Sequence, residues 1–158
     1  MIYTIIAAAA VINLVLGILA LTKGASRINL SFFFLSLFLA MWNLCVVLWA
    51  GGVEAFGRLN FVAISLIPTA GMFFVLSVFG ITTGPLAASP YVIAAPGAAI
   101  ILFTLGTFIY APFRQVYDTV WYKVTIFVYM FVPLLFAFGV LIAKLFSLKY
   151  PRAFADGR

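Results

Sequence analysis

Apolar residues run along the chain in five long stretches, at residues 2–22, 30–50, 60–81, 91–111 and 120–146. Each is long enough to cross about 30 Å of hydrocarbon as a helix rising ~1.5 Å per residue. The runs are apolar on every side, so they lack the polar lumen positions that alternate along the strands of a membrane β-barrel. Short breaks rich in Gly, Pro, Ser and charged residues separate them: Lys23-Gly24-Ala25-Ser26-Arg27, Gly51-Gly52 through Arg58, Thr82-Thr83-Gly84-Pro85, and Pro112 through Thr119. Breaks this short place successive helices side by side with alternating direction. The pattern therefore predicts an all-α integral membrane protein, an antiparallel bundle of five transmembrane helices over residues 1–150 with a short basic tail at 151–158.

Composition agrees with this reading. Hydrophobic residues make up 67% of the 158 positions, where soluble domains carry roughly 45–50%. Charged residues make up 8%, too few to cover the surface of a water-soluble fold of this size. Lysines and arginines set the orientation. With the N-terminus outside, the inner side receives Lys23, Arg27, Lys144, Lys149, Arg152 and Arg158, and the outer side Arg58, Arg114 and Lys123. That excess predicts N-out, C-in. Nothing basic precedes the first apolar run, so a retained first helix is expected rather than a cleaved signal peptide. The net charge of +6 thus serves topology, and no nucleic-acid partner is expected, since a basic face set in polar surface is missing.

Chemically reactive residues are scarce. The chain has no histidine, which excludes His-ligated haem or chlorophyll, His-containing zinc sites and nucleophilic triads built on His. The one cysteine, Cys45, lies in an apolar run and reads as a small core hydrophobe. The three acids, Glu54, Asp118 and Asp156, are far apart in sequence, the first two in expected loops. They form neither a carboxylate pair nor a metal cluster. No phosphate-cradling glycine loop is present. The protein is expected not to be an enzyme and to hold no metal.

What remains lies inside the helices. Asn13, Asn43, Ser65, Thr69, Thr104 and Thr107 are polar groups at membrane depth, suited either to hydrogen bonds between helices or to a ligand pocket. Pro68 and Pro133 each remove a backbone bond near the middle of a helix, making a bend that either shapes the bundle or serves as a hinge. Phe34, Phe38 and Trp42 recur every four residues, a stripe that packs on a neighbour or lines a cavity for a flat apolar ligand such as a quinone, a carotenoid or a lipid. The candidate apolar pocket consists of Asn13, Phe38, Trp42, Asn43 and Pro68. In the fourth run, the spacings Ala94-xxx-Ala98 and Ala95-xxx-Ala99 allow close approach of another backbone, within the chain or from a second one.

A basic loop with Arg27, then Asn29, a Phe-rich segment at Phe32, Phe33 and Phe34, and Trp42 form one pattern. Arg58-Leu59, Pro68 and the pair Phe73-Phe74 form a second. Together they resemble the N-terminal multi-helix membrane region, of the seven-span sensor type, found on bacterial sensor histidine kinases. The chain departs from that family in having five spans and no kinase. The resemblance implies a bacterial inner-membrane, multi-pass sensory or regulatory module without a transmitter, which binds an apolar or lipid ligand and signals to a partner. The alternative expectation is an accessory structural subunit of a larger respiratory, photosynthetic, transport or secretion complex. Expected partners are membrane lipids and another membrane subunit or a second copy of the chain.

Overall fold

The computed structural model describes residues 1–110, 113, 115, 116 and 119–149, with side chains at the end followed as far as Phe146. Among the described residues five helices succeed one another: α1 (Ile2–Thr22), α2 (Arg27–Ala50), α3 (Glu54–Val78), α4 (Pro85–Ile109) and α5 (Val120–Lys149). Each is long and apolar enough to cross a membrane, and no strand occurs among the described residues. Helices are what an apolar solvent demands, because every backbone N–H and C=O must be satisfied within its own segment. Arg114, Asp118, Arg152, Asp156 and Arg158, on which charge placement was read, lie outside the described residues, as does the tail at 151–158.

Three helices begin earlier than hydropathy alone suggests. α2 starts at Arg27 because the Ser26 hydroxyl accepts from the Asn29 N–H at 3.2 Å, an N-cap. The Asn29 side-chain amide turns back to the Gly24 carbonyl at 2.7 Å. Glu54, expected in a loop, instead lies in the first turn of α3, where its charge faces the positive end of the helix. α4 starts at Pro85 and runs through Pro90. Proline suits the first helical position because its missing N–H would be unpaired there anyway, and Gly84 turns the chain into it with φ +83°. At Pro90, the Ser89 hydroxyl donates to the Leu86 carbonyl at 2.7 Å and supplies the bond the ring cannot make.

The helices are organised around α3. Among the described residues it touches α2, α4 and α5; α4 also touches α5; and α1 touches α2 alone. Over half of the apolar span of α3 is buried, 56% against 11% for α1. Small residues explain the position of α3, since Ala63, Ser65, Ala70 and Gly71 are all buried and let neighbours approach from both sides. At Gly71, an added Cβ would lie 3.5 Å from Leu134 of α5 and 4.0 Å from Leu35 of α2. One buried cluster unites Ile64, Ile100 and Ile126 from α3, α4 and α5. A second unites Met72, Leu76 and Ala137. α1 is joined to α2 through Gly17, where a Cβ would stand 3.1 Å from Ser36 and 3.3 Å from Phe33.

Candidate functional site

Because the α2 backbone comes close to neither that of α4 nor that of α5 among the described residues, a cleft is left along each flank of α3. The larger has a volume of about 750 Å³, within the roughly 300–1,000 Å³ of ligand clefts. Leu30, Phe34 and Phe38 of α2 form one wall, and Ala94, Gly97 and Ala98 of α4 form the other. Thr69, Ala70 and Phe73 of α3 form the floor. Ala25 and Arg27, both exposed, line it at the start of α2, which makes that end a mouth. Phe34 and Phe38 lie with ring centroids 6.2 Å apart, and Phe34 is 47% exposed, so the aromatic wall is open to the surroundings. The smaller cleft, about 340 Å³, lies between α2 and α5 and includes Trp42, Phe61, Lys123 and Met130.

Ser65 and Gly97, which line the larger cleft, also form the meeting point of three helices. The Tyr129 hydroxyl of α5 stands 3.1 Å from the Ser65 carbonyl of α3 and 2.9 Å from the Ile93 carbonyl of α4. Its single proton is shared between the two acceptors. Gly97 provides the space: a Cβ there would collide with the Tyr129 hydroxyl and approach the Ser65 carbonyl to 3.1 Å. Pro68 is buried in the same stretch of α3, and its ring leaves the Ile64 carbonyl without its helical donor. The far wall of the cleft is thus the backbone that holds α5 in place.

Two further contacts fasten α3 and α5 to α4. The Arg58 guanidinium donates to the Thr107 carbonyl at 3.1 Å and lies 5.1 Å from the centroid of the Phe108 ring, placing a cation at the negative end of α4. The Thr104 and Tyr122 hydroxyls are 2.6 Å apart.

Of the residues singled out in the sequence, Phe38 lines the large cleft and Trp42 the small one. Pro68 is buried in α3. Asn13 and Asn43 are half-buried on α1 and α2, line neither cleft, and make no side-chain hydrogen bond among the described residues. The structure therefore distributes these five positions over separate places and does not assemble them into one pocket. Sequence reasoning missed Tyr129 and the position of Arg27 at the cleft mouth. The available signal for Tyr129 was a lone hydroxyl deep in an apolar span, a kind of group rarely left unpaired there. No group of His, Cys, Asp or Glu able to hold a metal occurs among the described residues. No family model matches the chain, and neither does any curated protein or solved structure.

Proposed function

We propose that the protein is a non-enzymatic, multi-pass sensory or regulatory module of the bacterial inner membrane, which binds an apolar or lipid ligand in the larger cleft and signals to a partner. The observation carrying this reading is that Ser65 and Gly97 belong both to the cleft wall and to the contact that holds Tyr129. A ligand pressing α2 and α4 apart loads the Ser65 and Ile93 carbonyls and shifts α5. Pro133 lies one turn beyond Tyr129 in α5 and gives that helix a place to bend. The displacement reaches the end that carries Lys144, where a partner can read it.

An antiparallel, N-out, C-in arrangement belongs to the same proposal. It is supported by the contact of Arg58, early in α3, with Thr107, late in α4, and by the basic residues flanking the loop after α1. A labelled variant carrying Thr82→Cys and Ala143→Cys in a Cys45→Ser background tests the coupling. Refilling lipid-stripped protein with lipid is expected to move the two labels by about 1–2 Å, the usual scale of helix shifts in switches. Adding Pro133→Ala is expected to reduce that movement. Identical label distances with and without lipid would sink the signalling reading.

The accessory-subunit reading has its own observation: among the described residues α1 touches α2 alone, and its apolar side chains Ile5, Ile12 and Leu19 are exposed. Stoichiometric co-purification with a larger complex in mild detergent would favour it.

A further inference from the structure

Accepting the larger cleft as a ligand site, we infer that its occupant is one acyl chain of an anionic glycerophospholipid, with the phosphate held by Arg27. The first argument is length. Along α2 the cleft runs from Arg27 to Phe38, about 16 Å at 1.5 Å per residue. That is about half of a hydrocarbon core of ~30 Å, the depth one leaflet's chain fills. A chain entering at the Arg27 end therefore reaches Ser65 and Gly97 at the far wall with its headgroup still at the membrane surface.

The second argument is the chemistry of the walls. Four hydroxyls line the cleft, on Ser31, Ser65, Thr69 and Ser77; Thr69 is hydrogen-bonded to the Tyr129 side chain, and each serine is bonded to its own helix. Ser31 donates toward the Arg27 and Ile28 carbonyls at 2.9 and 3.0 Å. Ser65 donates to Phe61 and Ser77 to Phe73, both at 2.7 Å. What they show to the cleft is hydrocarbon. A ligand with polar groups along its length would lose water there without replacement, whereas an alkyl chain loses nothing.

The third argument is the charge at the mouth. Arg27 is exposed, lines the cleft, and makes no side-chain hydrogen bond or ion pair with a described residue. Lys23 lies four positions earlier, and no acid lies in the α1–α2 or α3–α4 connection. A planar guanidinium is well matched to a phosphate. In the proposed orientation this mouth opens on the cytoplasmic leaflet, where anionic lipids concentrate.

The test uses the full chain reconstituted in phosphatidylcholine nanodiscs containing a minority of phosphatidylglycerol, followed by extraction and native mass spectrometry of retained lipid. Phosphatidylglycerol is expected to be retained about fivefold above its bulk share, the discrimination that ~1 kcal/mol per basic residue provides. Arg27→Gln is expected to abolish that preference while lipid is still retained. Ala98→Phe, which fills the cleft, is expected to reduce retention of both lipids. A phosphatidylglycerol with a photoreactive chain end is expected to label the segment around Gly97 and Ile101 in the unmodified chain, so the assignment stays testable if Ala98→Phe fails to fold. Lipid retained without headgroup preference, yet lost in Ala98→Phe, overturns the role of Arg27 and leaves an apolar ligand in place. No retention and no labelling overturns both the occupant and the ligand reading beneath it. Recovery of free fatty acid alone, or crosslinks joining two copies through Ala98→Cys in place of lipid, overturns the phospholipid.

Discussion

At the scale of single residues, many of this protein's hydroxyls are bonded within their own helices. Ser31, Ser65, Ser77, Thr107 and Thr125 donate to carbonyls of their own helices, which satisfies each hydroxyl where no water is available. Tyr129 differs because its acceptors are on two other helices. Tyr129→Phe keeps the ring and removes the tie. Hydrogen bonds between membrane helices average about 0.6 kcal/mol with an upper range near 1.7 kcal/mol, so a loss of about 1 kcal/mol is expected in reversible unfolding from mixed micelles. In the labelled protein, the same variant is expected to weaken the lipid-dependent movement of α5 more than that cost in stability explains. A stability loss with the movement intact would make Tyr129 a simple brace.

At the scale of helices, the existence of all five was legible, because a bilayer requires long apolar runs and the runs are unmistakable. The starts of α2, α3 and α4 were less so. Arg27, Glu54 and the segment from Pro85 to Pro90 carry the helix outward through capping and helix-end charge, neither of which a hydropathy pattern registers. The central place of α3 was latent in its buried small residues, but spacing alone did not say which neighbours they would admit. Phe38 and Trp42 share one stripe on α2 yet line different clefts, one shared with α4 and one with α5. No pattern within α2 could show which neighbour each would face. Packing at the two glycines nearest the centre makes a direct contrast. A Cβ at Gly71 meets only ordinary contacts at 3.5 and 4.0 Å, so Gly71→Ala is expected to be neutral or to gain up to ~1 kcal/mol from helix propensity. Gly97→Ala drives a methyl into the Tyr129 hydroxyl and the Ser65 backbone, and overpacking of this kind costs about 1–3 kcal/mol. Comparing the thermal midpoints of the two variants in one detergent checks this, and equal midpoints would mean that α5 does not lean on Gly97.

At the scale of the whole molecule, charge and packing do separate jobs that composition alone merges. Arg58 is engaged with the Thr107 carbonyl and the Phe108 ring, so it fastens α3 to α4, and Lys123 lines the smaller cleft. Lys23 and Arg27, by contrast, flank the turn after α1 and make no side-chain contact of that kind, which leaves them free to act on orientation during insertion. The asymmetry therefore belongs to the first loop more than to the total. Val53, Ala25 and Thr83 are exposed in three successive connections, and Cys45 is buried; in a Cys45→Ser background each can be replaced by cysteine in turn. In sealed right-side-out vesicles an impermeant thiol reagent is expected to modify Val53→Cys and to spare Ala25→Cys and Thr83→Cys. Inverted vesicles should reverse the result. Modification of Ala25→Cys and Val53→Cys from the same side would mean that α2 does not cross, and a wholesale reversal would mean that the basic turn lies outside. If Lys23 and Arg27 set the orientation, neutralising both should produce molecules of mixed topology, whereas neutralising Arg58 should lower stability without changing which side is labelled.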